Sequence, residues 1–206
     1  MTRLCSYGDC DRKHYGKGYC NVHYKRHRNG WDMDRPLQRS GDYESKFWER
    51  TDKDGPVPKH APELGACWQW TWGKSAQGYG LLSINGVSRL VHRVSYEMHS
   101  GKIPAGMEID HMCNNRACVN PSHLRVATSG QNGQNYVGAQ IHSKTGVRGV
   151  TWYESRQKYM AKANLNGKQY YLGWYTDIEE ANAVVTEWRR KNMPYSVMDQ
   201  RKDKAA

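Results

Sequence analysis

One stretch concentrates side chains able to do hydrolytic chemistry. Residues 109–124 read Ile-Asp-His-Met-Cys-Asn-Asn-Arg-Ala-Cys-Val-Asn-Pro-Ser-His-Leu, and Asn132 follows a short way on. Cys113, Cys118 and His123 carry the thiolate and imidazole donors that favour zinc. Asp110 and Asn132 carry oxygens that favour magnesium or manganese. His111 lies among them, with an ordinary pKa near neutrality that suits proton transfer without a large shift. Two donor sets side by side suggest a structural metal bracing a catalytic one.

The pattern Asp-His, then Cys and Cys, then Asn-Pro-x-His-Leu, then Asn resembles the HNH nucleases. Within them it is closest to the zinc-braced branch near the His-Cys box homing endonucleases. The resemblance implies a ββα-metal hairpin with His111 as general base and with Asp110 and Asn132 holding the hydrolytic cation. In the His-Cys box branch the Asp position is not a ligand, and Asn135 offers a second amide near the same helix face. Asn120 falls at the family's middle Asn, whose side chain ties the two strands together. Cys67-Trp68-Gln69-Trp70 followed by Gly78-Tyr79-Gly80 also resembles this branch. It implies that Cys67 is a distant fourth zinc ligand, reaching back to Cys113, Cys118 and His123. The pair His92-Arg93 borders the active site in the family, with the Arg placed to meet a phosphate. The competing readings are a hydrogen-bonded core histidine and a surface cation.

The composition fits a polyanionic partner. The chain has 206 residues and a formal net charge of +11, and its pI is near 9.4. That charge favours nucleic acid before membrane. Eight Trp and fourteen Tyr against one Phe supply rings with a polar edge, suited to wet surfaces. No apolar run reaches the roughly eighteen residues of a membrane span, and no apolar signal core opens the chain. A soluble, intracellular protein is expected.

Six cysteines allow three disulfides, yet their grouping favours zinc. Cys5, Cys10 and Cys20 lie near His23, in the spacing Cys-x₄-Cys-x₉-Cys-x₂-His, with His14 or His27 as alternative fourth ligands. So short a segment buries little apolar surface, and metal binding would supply its folding free energy. It resembles the small zinc modules at the front of phage HNH proteins. Arg12, Lys13, Lys17, Lys25, Arg26 and Arg28 around it suit phosphates.

The remaining elements follow from pattern. A linker is expected over 30–41, a short helix over 43–50 and a loop over 53–62. A β-meander follows across 67–91, marked by alternating Trp residues and the turn signals Gly78-Tyr79-Gly80 and Asn85-Gly86. Residues 91–99 have helical spacing, and Ser129 is placed to cap the helix carrying Asn132. Three strands are expected at Val150–Tyr153, Lys158–Leu165 and Lys168–Tyr175, the last two joined by Asn166-Gly167. Asp177 then opens a helix to Lys191 with the stripe Ile178, Ala181, Val184, Val185 and Trp188.

Gly146-Val147-Arg148-Gly149-Val150, Asn166-Gly167-Lys168, Leu172-Gly173 and Glu179-Glu180-Ala181 resemble the Apetala-type DNA-binding domain, in which the sheet enters the major groove. The resemblance implies a DNA-facing set of Arg148, Thr151, Tyr153, Lys158, Lys162, Asn164, Gln169 and Tyr171. Thr151, Tyr153 and Asn164 depart from the plant arginines, so plant base preference does not carry over. A charged, disordered tail is expected from Asp199.

The fold class is therefore α+β, a small multi-module chain. Residues 1–40 form a zinc knuckle and linker. Residues 41–138 form the β-meander and ββα-metal nuclease with structural zinc. Residues 144–198 form a three-stranded sheet with one helix, and 199–206 the tail. The expected activity is site-specific, homing-type cleavage of double-stranded DNA. It would use two structural Zn²⁺ ions and a catalytic Mg²⁺ or Mn²⁺, with no small-molecule cofactor. A monomer or weak homodimer, phage-encoded and working in the cytoplasm of a host bacterium, is expected. The rival readings are a DNA-binding regulator with an inactive nuclease fold and a nicking component of a phage packaging complex.

Overall fold

A computed structural model of the chain describes residues 3–34, 42–84 and 86–200. The chain groups into two compact units, Met1–Glu49 with Leu82–Arg89, and Arg50–Leu81 with Leu90–Ala206.

In the first unit the cysteine-rich loop folds back on itself, the Cys5 N–H donating to the Arg12 carbonyl. Helix α1 (Asn21–Asn29) starts from Cys20 and stops at Gly30, whose φ of 64° lets its N–H reach the Arg26 and His27 carbonyls. A side chain would resist that left-handed cap. Helix α2 (Asp42–Glu49) buries Phe47, with Trp48 edge-on at 4.9 Å, and begins one residue before the expected helix. Residues 35–41 of the expected linker, and Asn85 of the expected turn, lie outside the described residues.

In place of the expected meander over 67–91 there are two separate two-stranded sheets, β1 (Thr51–Asp52) with β2 (Gln69–Trp70), and β3 (Leu81–Ile84) with β4 (Val87–Leu90). The Trp alternation does not sort as one half-buried strand would: the strand ends at Trp70, which is fully buried, and Trp72, two residues on, is exposed under the Arg50 guanidinium. Helix α3 (Val91–Ser100) buries Val91, His92, Val94 and Ser95.

Strand β5 (Glu108–His111) pairs antiparallel with β6 (Leu124–Ala127), in the register Asp110↔Arg125 and His111↔Leu124. Helix α4 (Ser129–Gln134) follows, completing a β-β-α unit over a core of Ile103, Ile109 and Leu124. The cap differs from the expected one. Thr128, not Ser129, is the N-cap: it is extended, accepts the Gln131 N–H, and receives the Gln131 side chain on its own N–H. That reciprocal capping box moves the boundary one residue upstream.

Strands β7 (Val150–Tyr153), β8 (Lys158–Leu165) and β9 (Lys168–Tyr175) form one antiparallel sheet with the expected bounds. Asn166 and Gly167 both take positive φ, 52° and 75°, as a two-residue hairpin turn demands. Helix α5 (Ile178–Asn192), capped by the Asp177 carboxylate, lies on one face of the sheet. Val150, Ala161, Ala181 and Val185 form the core between them, which Val147, Tyr159, Leu172, Tyr175 and Ile178 extend. Gly149 admits this closeness, since a Cβ there would sit 2.6 Å from the Lys162 carbonyl oxygen. Helix α6 (Val197–Gln200) corrects the start of the expected disordered tail, at Asp199 and Gln200. Asp199 is 2 % exposed and ion-paired to Arg189, because a buried guanidinium needs a countercharge. Residues 201–206 lie outside the described residues. Among the described residues no helix is long and apolar enough to cross a membrane.

Candidate active site

Cys67, Cys113, Cys118 and His123 converge, all buried, with their ligand atoms within 4.8 Å of one another. His123 Nδ1 lies 3.5 Å from Cys118 Sγ and 3.6 Å from Cys67 Sγ. A tetrahedral zinc with ordinary bond lengths has a sulfur–nitrogen edge of about 3.5 Å, so the donors fit that ion. His123 Nε2 donates to the Leu64 carbonyl at 2.8 Å, which turns the Nδ1 lone pair toward the sulfurs. Hydrogen bonds from Cys113 and Cys118 pull the Cys67 thiol down to about 2. Hydrogen bonds with Cys118 and Cys67, together with burial, push Cys113 far up. One thiolate forms readily, and the others need a positive charge among them. Asn120 does not tie strand to strand. Its side chain caps the turn Pro121–His123 and donates to the Ala66 carbonyl, fastening the knuckle to the approach to Cys67.

His111 ends β5 at 7 % exposure, with Nε2 3.1 Å from the Cys118 carbonyl. A carbonyl only accepts, so Nε2 carries the proton and Nδ1 keeps a free lone pair. Burial lowers the His111 pKa to about 4, against the Cys118 carbonyl and Asp110, which raise it. The ring is therefore neutral at pH 7. His92 lies 4.7 Å away ring to ring, buried, with Nδ1 lacking a hydrogen-bond partner among the described residues. It is thus not a fully satisfied core histidine. Arg93 follows it on α3, half-buried, its guanidinium in no hydrogen bond or ion pair among the described residues.

Asp110 is 3 % exposed and heavily engaged. Arg125, its cross-strand neighbour, pairs with Oδ2 at 2.7 Å, and the Asn135 amide donates to Oδ1 at 3.0 Å. Asn135 also donates to the His111 carbonyl at 2.9 Å. Asn132 donates its amide nitrogen to Glu108 Oε2 at 2.6 Å, leaving its side-chain oxygen as the free end. The structure therefore joins His111, Asp110 and Asn135 in one network and sets Asn132 beside Glu108. Among the described residues no hydrogen bond joins Asn132 to Asp110 or His111, and both Asp110 oxygens already accept from Arg125 and Asn135.

Residues 89–134 match the HNH endonuclease family. That match spans α3, the β5–β6 hairpin, both downstream zinc-type cysteines and Asn132. Three phage proteins are similar over parts of the chain. Protein 7.7 of Escherichia phage T7 is 37 % identical over 71 residues, covering 34 % of this chain and 55 % of its own length. Protein 2.8 of the same phage is 32 % identical over 73 residues, 34 % of this chain and 49 % of its own. The uncharacterized gene 5.3 protein of Enterobacteria phage T3 is 53 % identical over 36 residues, 18 % of this chain and 36 % of its own. The chain thus spans about half, or less, of the length of these relatives. No solved structure matches.

Outside the HNH domain, Cys5, Cys10, Cys20 and His23 form a second group of the same kind. His23 Nδ1 lies 3.3 Å from Cys5 Sγ and 3.7 Å from Cys20 Sγ, again near a tetrahedral edge. His14 instead accepts the Gly18 N–H, and His27 packs its ring on Tyr19. Burial pushes Cys10 up to about 11, so without a cation that thiol keeps its proton at neutral pH. All six cysteines are free of disulfides.

The sheet face away from α5 carries most of the expected DNA-facing set. The register pairs Thr151 with Met160, Tyr153 with Lys158, Lys162 with Tyr171 and Asn164 with Gln169. Arg148 is placed differently: its guanidinium donates to the Gln134 and Tyr136 carbonyls. The sequence reading missed Trp174. A bulge between Ala161 and Lys162 in the β8–β9 register pairs Trp174 with Met160, on the open face, where Tyr153 meets it at 5.0 Å and Arg156 lies over its ring. Gly173, with φ 123°, was the signal available. Arg125 and Glu108 were also missed, although cross-strand pairing of Asp110 with a cation is a rule that could have found the first.

Proposed function

We propose that this chain is a phage-encoded, divalent-metal-dependent endonuclease of the homing type, cutting double-stranded DNA at selected sites. One observation carries the reading: His111 is buried with Nε2 3.1 Å from the Cys118 carbonyl, which leaves Nδ1 as a base within the stretch that matches HNH endonucleases. Nδ1 takes the proton from an attacking water, and the Asp110 carboxylate beside it eases the positive charge that the ring acquires. Arg93, whose guanidinium makes no hydrogen bond or ion pair among the described residues, meets the scissile or a neighbouring phosphate. When held by the Asn132 oxygen, with Asp110 beside it, magnesium or manganese supplies charge neutralisation at the phosphate and the leaving 3′ oxygen. The products are a 5′-phosphate and a 3′-hydroxyl.

Zinc at Cys67, Cys113, Cys118 and His123 stays out of the chemistry because four protein ligands close its shell. The second zinc, at Cys5, Cys10, Cys20 and His23, folds a basic module that grips the DNA backbone. The Apetala-like sheet reads the groove through Thr151, Tyr153, Lys158, Lys162, Asn164, Gln169 and Tyr171, which adds the sequence discrimination that phosphate contacts lack. One site per chain cuts one strand, so a monomer nicks and a double-strand break takes two chains or two visits.

The test is plasmid nicking by purified protein with magnesium, wild type beside His111→Ala, with cut ends mapped. Discrete nicks at one site, lost in the variant, are expected. Binding without cutting by wild type would make the chain a DNA-binding regulator instead. Cutting that is scattered over the plasmid would remove the homing-type reading.

A further inference from the structure

Cys113, Cys118 and His123 lie in the connection between β5 and β6, at the turn end of the hairpin, and α4 follows β6. Two four-residue strands and a six-residue helix are lengths that do not hold themselves in water. Residues 195–199 meet them at the Asp110–Arg125 pair, one step from the turn end, and at the C-terminal end of α4. Asn135, which holds both Asp110 and the His111 carbonyl, accepts the Val197 N–H on its own oxygen at 3.3 Å. Arg125, paired to Asp110, donates to the Tyr195 carbonyl and lies 4.4 Å over the Tyr195 ring. Gln134 accepts the Tyr195 N–H at 3.2 Å.

The far end of the same segment is anchored in the sheet unit. Asp199 takes two hydrogen bonds from Arg189 of α5, at 2.8 and 2.9 Å, with both side chains buried. Arg189 also donates to the Arg148 carbonyl at 2.9 Å, and the Arg148 guanidinium returns to the Gln134 carbonyl. The path from the sheet to His111 is closed by hydrogen bonds, and a satisfied buried network of this kind is stiff.

We propose that Asn135 is a positioning residue for the Asp110–His111 pair, held in place by the Val197 backbone, so that cutting depends on the segment fastened to α5. This rests on the endonuclease reading. Asn135 touches no reacting atom; it sets where the base and its carboxylate neighbour stand. Small displacements of such groups cost rate far more than binding.

The test removes one hydrogen. Val197 is the first residue of α6, a position that accepts proline. Val197→Pro in the full chain deletes the N–H to Asn135, and Val197→Ala is the control. Four quantities are compared: kcat for nicking supercoiled plasmid, plasmid Kd, zinc content and hydrogen exchange over 108–112. In the proline variant kcat should fall about ten- to hundred-fold and exchange over 108–112 should rise, with Kd and zinc content equal to the control. Equal kcat in the two variants, or unchanged exchange, overturns the proposal. If the proline variant does not fold, Asn135→Asp answers the question, since it keeps the acceptor for Val197 and loses both donated bonds. Wild-type kcat in that variant overturns the proposal. If wild type itself cuts nothing, the endonuclease reading fails, and exchange over 108–112 alone decides the bracing.

Discussion

The His111 ring donates to the carbonyl of Cys118, 3.1 Å away, while the Cys118 sulfur belongs to the buried metal-type cluster. One residue thus fixes the tautomer of the proposed base with its backbone and offers a metal-type ligand with its side chain. Replacing His111 by Ala should lower the nicking rate about hundred- to ten-thousand-fold, the usual worth of a positioned general base. Plasmid affinity in a gel-shift assay should stay within a few-fold of wild type, since phosphate contacts supply most of it.

Cys113→Ser should reduce zinc from two ions per chain to one, as counted by elemental analysis. Because zinc binding in so small a module is itself folding free energy, the variant should also lose several kcal/mol of stability. Cutting should fall with it, since the His111–Cys118 bond sits within the loosened knuckle. Two ions retained would count against the cluster as a zinc site.

Burial holds His111 down to about 4 and His92 down to about 3. The cutting rate should therefore show no acid limb near pH 6.5. It should fall only as pH drops toward 4, when the His111 ring begins to protonate. Stability follows the same sign. Below pH 6.5 the unfolded chain protonates both histidines while the folded chain does not, so stability falls with falling pH. The slope is up to about 1.4 kcal/mol per pH unit for each. Denaturant titrations from pH 7 to 5 check the slope, with zinc content followed alongside.

Asp199→Ala leaves the Arg189 guanidinium buried without its partner. Breaking such a pair typically costs about 3–5 kcal/mol, and thermal melting should register a loss of that order. Asp199→Asn, which still accepts hydrogen bonds, should cost less.

Trp174 stands on the open face of the sheet beside Tyr153 and Tyr171. Trp174→Ala should weaken duplex binding roughly ten-fold and blur discrimination between sites. Lys158→Ala should weaken all sequences alike and flatten the salt dependence by about one ion. Equal losses on every sequence for both variants would argue against groove reading by this face.

Much of this architecture was legible because its signals are local. The Asn166-Gly167 turn, the Asp177 cap and the alternation of Lys158–Leu165 each act over a few residues, and the sheet and α5 follow from them. The two Cys₃His groupings were legible too, from residue type and, for Cys67, from the resemblance to the zinc-braced nucleases. Relations between distant residues were harder. Asn135 and Asn132 lie three positions apart on one helical run, and only tertiary contacts put Asn135 on Asp110 and Asn132 on Glu108. Arg148 read as a groove cation because its neighbours do, yet backbone carbonyls 12 to 14 residues upstream take its donors. Trp174 was hidden by one extra residue in β9, which inverts the alternation beyond it. The buried Asp199 was hidden by a charged surrounding sequence that looks like solvent-loving tail.

The clamp of Tyr195 and Val197 on the catalytic hairpin has a consequence in time. Asp110 leaves the ribosome 85 residues before Tyr195, counting 195 − 110. Under the proposed dependence, a nascent chain carries the β5–β6 hairpin unpinned while the sheet of β7, β8 and β9 is still being made, and its cutting stays slow until that sheet exists.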